Sequence, residues 1–228
     1  MIDARTFFNE LRHAMVLRCE SDQDSTGLIH IAENVVAQKI PQISVYPQYV
    51  GSLWAWLEDK PVKIIARFDL DAPCKKGGNR EDAISGLSGE INRVFKKGAH
   101  GAEIFIPVND MDAFADDLLP IRDDLFFNRD LTIGLDLNDI DTNDWGGVFD
   151  FLNKLRAGAV LFYLSDNKKA MDYFIGRIYA LFEMIGDNYT GQLQFALGND
   201  QNKIEQIWRL CEKMRPDLLN KLKFFLHV

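Results

Sequence analysis

Eight short apolar blocks, each of strand length and each followed by enough chain for a helix before the next, set the terms on which this sequence can fold. They are Ala14 to Arg18 (AMVLR), Gln42 to Tyr46 (QISVY), Val62 to Phe68 (VKIIARF), Ala102 to Val108 (AEIFIPV), Leu131 to Leu137 (LTIGLDL), Ala159 to Leu164 (AVLFYL), Gln192 to Leu197 (QLQFAL) and Leu222 to His227 (LKFFLH). Parallel strands covered on both faces read as such hydrophobic runs. The intervals carry helical stripes: Leu28, Ile31, Val35 and Val36; Ile84, Leu87, Ile91 and Val94; Val148, Phe149, Leu152 and Leu155; Ile204, Ile207, Trp208 and Cys211. Strand and helix alternating this often imply parallel strands joined by right-handed crossovers.

A doubly wound open sheet satisfies the same alternation, but strand parity favours a closed barrel. Thr132, Gly134, Asp136 and Asn138 fall on one face of the fifth block, with Ile133, Leu135 and Leu137 on the other. The fourth block (Glu103, Phe105, Pro107, Asn109) and the seventh (Gln192, Gln194, Ala196, Gly198) divide the same way, as expected for a lumen face and a helix-packed face. With 228 residues the expected architecture is one α/β domain over residues 1–228, a (βα)8 TIM-type barrel. An extra N-terminal helix from Asp3 to His13 and no eighth helix after the last strand complete it. Apolar surface beside strands one and eight is then expected to lie under that helix or under a second subunit, which makes a homodimer the assembly to test.

Composition narrows the partners. The formal net charge is -8, from 34 acidic and 26 basic residues, and no Lys/Arg run exceeds a pair, so no nucleic-acid partner is expected. No stretch approaches a membrane span, and the N-terminus lacks the basic start and apolar run of a signal peptide. Cys19, Cys74 and Cys211 are too far apart for a metal or redox motif and are odd in number, so they read as reduced thiols of a cytoplasmic protein.

The order and local words of the blocks resemble deoxyribose-phosphate aldolase over residues 14 to 215. The words are Asp24-Ser25-Thr26, ISVYPQYV from Ile43 to Val50, Val62-Lys63 opening the third strand, KKGAHGAEIFIPVN from Lys96 to Asn109, and RAGAVLFYLSDN from Arg156 to Asn167. The resemblance implies a barrel that cleaves a sugar phosphate through a lysine Schiff base. It also places that lysine on Tyr163, the catalytic aspartate on Phe105 and the second lysine near Gln194. None of the three residues is kept, and of the glycines that would hold phosphate beyond strands seven and eight, Gly198 stands alone.

The expected function is therefore that of a divergent aldolase-like barrel without Schiff-base chemistry, a pseudoenzyme that binds a small polar ligand or contacts a protein. Tyr46, Asp69, Asn109, Asp136, Asn138, Tyr163, Ser165 and Gly198 are the expected ligand-binding residues around the mouth. One alternative is a metal-assisted lyase or hydrolase in which Asp69 and Asp136 hold Mg2+; the competing reading of such aspartates is helix capping, as for Asp110, Asp166 and Asn199. A second alternative is a class I aldolase whose amine has moved to Lys223, early in the eighth strand. His227, at the end of that strand, is a separate candidate general base. The loop from Asp69 to Arg80, with Lys75, Lys76, Gly77 and Gly78, is a lid candidate.

Overall fold

Alternation along each strand sorts the apolar side chains into two sets, and that sorting closes the sheet. The computed structural model describes residues 11–19, 23–71, 74, 76–164, 171–185, 189–197 and 200–227. Its strands are β1 (Met15–Arg18), β2 (Gln42–Val45), β3 (Lys63–Asp69), β4 (Gly101–Phe105), β5 (Asp130–Asp136), β6 (Ala159–Tyr163), β7 (Gln192–Ala196) and β8 (Leu222–His227). Each pairs in parallel with the next, and β8 pairs with β1, Phe225 opposite Val16 and His227 opposite Arg18. The result is a closed TIM-type barrel, and the doubly wound alternative is excluded.

Among the described residues the helices are α1 (Ser25–Ala37), α2 (Val50–Leu57), α3 (Arg80–Ile84), α4 (Leu87–Lys96), α5 (Met111–Leu125), α6 (Trp145–Lys154), α7 (Met171–Met184) and α8 (Gln201–Met214). Their apolar stripes bury Leu28, Ile31 and Val35 of α1, Ile91 and Val94 of α4, Phe149 and Leu152 of α6, and Ile204 and Ile207 of α8. These side chains join the outward-facing strand residues, such as Leu17, Ile64, Ile133 and Phe195, in one continuous core. Inside the barrel a second, small cluster holds Val16, Phe105, Leu161, Ala196 and Phe225, with Tyr163 packed against it. Burying a side chain of this size stabilises by about 1.5–3 kcal/mol, so the outer layer dominates stability.

The expected blocks match the strands to within one residue at every end except one. Block four was expected to reach Val108, but β4 stops at Phe105: Pro107 has no N–H to extend the ladder, and a 3-10 turn, Val108–Asp110, follows. The lumen parity expected of Asn109 therefore does not reach it, and Asn109 is exposed in that turn. Most of the expected N-terminal helix lies outside the described residues. Its end is a 3-10 turn, Leu11–Ala14, that runs straight into β1. Met15, Leu17, Leu222 and Phe224 are already buried within the single chain, so the outer faces of β1 and β8 need no second subunit to cover them. Among the described residues no helix is long and apolar enough to cross a membrane.

The corner between α4 and β4, at the N-terminal end of the barrel, is tightly specified. Gly98 has φ 103°, and a Cβ there would lie 2.2 Å from the Trp54 ring, so only glycine fits between α4 and β4. Beside it His100 accepts a hydrogen bond at Nδ1 from the Ile64 N–H, 3.1 Å away, which fixes the imidazole as neutral at that nitrogen. Burial and the nearby Arg129 and Lys63 hold the His100 pKa below its ordinary value.

Candidate functional site at the barrel mouth

The lumen-facing residues at the C-terminal strand ends are Arg67 and Asp69 on β3, Phe105 on β4, Asp136 on β5 and Tyr163 on β6. Register places Asp69 beside Phe105, Phe105 beside Gly134, and Asp136 beside Tyr163. The rings of Phe105 and Tyr163 meet edge to face with centroids 5.2 Å apart. This arrangement depends on Gly134, where a Cβ would stand 2.5 Å from Cδ1 of Phe105. The Tyr163 hydroxyl donates a hydrogen bond to Oδ2 of Asp71, in the chain just beyond β3. A phenol from one side of the barrel thus ties down the loop from the other.

Burial, the Asp71 hydrogen bond and the field of Asp71, Asp136 and Asp69 push the Tyr163 pKa far above that of an ordinary phenol, so the hydroxyl stays protonated. Asp136 is buried, and its Oδ1 accepts the Asn138 N–H at 3.0 Å while its carbonyl accepts the Asp139 N–H at 3.0 Å. It shapes its own turn at the end of β5 as well as facing the mouth. Asp69 is exposed, and Arg67 lies over both the Tyr46 ring, 5.3 Å from guanidinium carbon to centroid, and the Phe105 ring, 4.8 Å away. A cavity of about 340 Å³ opens alongside, with Tyr46, Arg67, Asp69, Ser85 and Glu90 in its wall.

Below Phe105 the lumen is filled by charge. Glu103 on β4 is fully buried; its Oε2 accepts the Ser44 hydroxyl at 2.7 Å and the Arg18 guanidinium at 3.4 Å. The Arg18 guanidinium carbon lies 5.0 Å from the centroid of Phe105 and 4.9 Å from that of Phe225. Burial raises the Glu103 pKa, opposed by Arg18, Ser44 and Arg67. Neither Arg18 nor Glu103 was expected as a site residue. Strand parity would have found both, since Arg18 shares a face with Val16 and Glu103 shares one with Phe105.

The structure brings Tyr46, Asp69, Asp136, Asn138 and Tyr163 to the mouth, while Ser165 and Gly198 lie outside the described residues. Lys223 is at the opposite end: its Nζ donates to the His13 carbonyl at 2.7 Å, and Gln194 lies beside it in register. Lys223 thus stands away from Tyr163 and Asp136 despite its correct parity, because it is the second residue of its strand. His227 lies at the far end of β8 opposite Arg18. Of the expected helix caps, Asp110 occupies the N-cap of α5 without a side-chain hydrogen bond, and Asp166 and Asn199 lie outside the described residues. Asp200 caps α8, accepting the Lys203 N–H at 3.2 Å. Among the described residues no group of three or more His, Cys, Asp or Glu side chains is placed to hold a metal ion.

The chain shares the barrel of the deoxyribose-phosphate aldolases. It superposes with a TM-score of 0.71 on the tetrameric deoxyribose-phosphate aldolase of Aeropyrum pernix, at 11% identity over 96% of this chain and 86% of that one. A Coccidioides immitis protein described as a deoxyribose-phosphate aldolase gives 0.71 at 9% identity, covering 96% and 81%. A Streptococcus agalactiae protein described as the copper homeostasis protein CutC gives 0.64 at 14%, covering 94% and 98%. At such identities the likeness establishes the fold alone. No family model and no curated protein matches the sequence.

Proposed function

We propose that the barrel mouth binds a small polar ligand without a covalent step and that the chain carries out no Schiff-base chemistry. The observation that supports this most is the pairing of Tyr163 with Phe105 and Asp71. Where the sequence resemblance sets a lysine and an aspartate, there is a protonated phenol pinned to a carboxylate and a hydrocarbon ring. A phenol cannot form the carbinolamine that a neutral amine forms. The described strands hold two lysines, Lys63 and Lys223, and both lie at the other end of the barrel.

What the mouth offers is mixed: the guanidinium of Arg67, the carboxylates of Asp69, Asp71 and Asp136, and the faces of Tyr46 and Phe105. Such a set suits a hydroxylated molecule with one anionic group, its hydroxyls meeting carboxylates and its charge meeting Arg67. Incubation with a panel of small aldehydes and ketones followed by borohydride reduction and mass spectrometry tests the proposal, and no lysine adduct is expected. A reduced adduct on Lys223 would establish the relocated-lysine aldolase instead. A ligand screened by thermal shift is expected to lose affinity in Tyr163→Phe and Arg67→Ala.

The alternative with Mg2+ rests on Asp69 and Asp136 alone. It predicts a rise in melting temperature on magnesium or manganese titration that Asp136→Asn abolishes. Three free cysteines are consistent with a cytoplasmic setting. A homodimer is the assembly to test by sedimentation, given that the Aeropyrum pernix neighbour is tetrameric.

A further inference from the structure

The end of the barrel remote from the mouth carries a second polar cavity, open to solvent on one side and lined by the N-terminal ends of the strands. Its volume is about 100 Å³, and its wall includes the side chains of Gln42, Lys63, Asp130, Thr132, Gln192 and Gln194. By comparison, a cavity of ~150 Å³ in a protein core holds a benzene molecule. The floor cavity therefore has room for a molecule somewhat smaller than that.

Its chemistry is unusual for the base of a barrel. Gln194 is 2% exposed, and its Oε1 has no hydrogen-bond partner among the described residues. Its Nε2 makes only a long contact, 3.4 Å, to Oε1 of Gln192. A buried acceptor left unmet costs about 1–3 kcal/mol, so a donor from outside the chain is favoured at that point. The Thr132 hydroxyl, on a residue 3% exposed, lies in the same wall.

Charge decides which class of molecule fits. Lys63 and Asp130, both in the wall, are paired at 2.6 Å and cancel each other. Asp130 is the one carboxylate among the described wall residues and is already held by Lys63, so a cation finds no partner charge there. An anion would set its charge against the carbonyl oxygen of Gln194, which asks for a donor. A neutral group that both donates and accepts, in the planar pattern a carboxamide matches, satisfies Gln194 and Gln192 together.

From this we propose that the floor cavity is a binding site for a small neutral molecule bearing a primary amide or urea group, separate from the mouth. Acetamide is the probe, with acetate and methylammonium as charged counterparts of similar size. Side-chain amide resonances of Gln192 and Gln194 are followed by NMR through each titration of the full chain. Acetamide is expected to give saturable shifts confined to the floor residues, weakened at least tenfold in Gln194→Met and unchanged in Tyr163→Phe. Gln192→Met, at the rim, is expected to weaken them as well and serves if Gln194→Met does not fold. Saturation by acetate or methylammonium in place of acetamide would overturn the assignment of class. Shifts that grow linearly without saturation, equal in the wild type and both variants, would mean that water alone fills the cavity and would overturn the site.

Discussion

The two ends of this barrel solve the same problem with different chemistry. At the mouth, charged groups are held by long-range partners: Tyr163 ties down Asp71, and Arg67 stacks on Tyr46 and Phe105. At the floor, carboxamides and a neutralised ion pair surround a small space in which one carbonyl is left unmet. Between them sits the Arg18–Glu103–Ser44 cluster under Phe105. Polarity at the mouth is thus partly tied into long-range pairs, whereas at the floor a buried carbonyl is left unmet among the described residues.

The sharpest way to break that contrast is to remove what separates the ends. Arg18→Met leaves Glu103 buried without its counter-ion and is expected to cost about 3–5 kcal/mol in urea unfolding. The double variant Arg18→Met/Glu103→Leu should recover most of it. Equal losses in the single and double variants would mean that packing, not charge, is what the cluster supplies. Tyr163→Phe tests the mouth alone: losing a hydrogen bond to a carboxylate predicts about 1.5–3 kcal/mol. A change near zero would show that Asp71 is held by other contacts.

Gln194→Met tests the floor with the opposite sign. It removes the unmet acceptor and should stabilise the ligand-free protein by about 1 kcal/mol, read as a higher urea midpoint at unchanged slope. The smallest effect concerns His100. Its folded pKa is depressed, so as pH falls through about 6.5 the unfolded chain takes up a proton first and native stability declines. His100→Asn keeps an acceptor for the Ile64 N–H but does not titrate. It should flatten the decline between about pH 7.5 and 5.5, and an identical slope in this variant would assign the effect to another group.

Much of the barrel was legible because strand burial writes itself into short runs. Blocks such as Ala159 to Leu164 must be apolar on both faces when helices cover one side and a filled lumen the other. Parity also identified the lumen faces of β4, β5 and β7. It failed at Asn109 because a proline ended the strand, and register beyond a strand end carries no information. Height along a strand was legible for Lys223 as well: it comes early in its block, and it lies at the floor. The pairing of Tyr163 with Asp71 spans 92 residues, and that of Arg18 with Glu103 spans 85. No local period encodes either, so both emerge only when the sheet closes.

The Arg18–Glu103 cluster also bears on how the two ends can change. A lumen stoppered at its middle by a desolvated ion pair works as a bulkhead, not a pipe. Among the described residues this packed cluster lies between the two compartments, so a substitution that retunes one is separated from the other by desolvated side chains. A barrel divided in this way can carry different chemistry at its two ends.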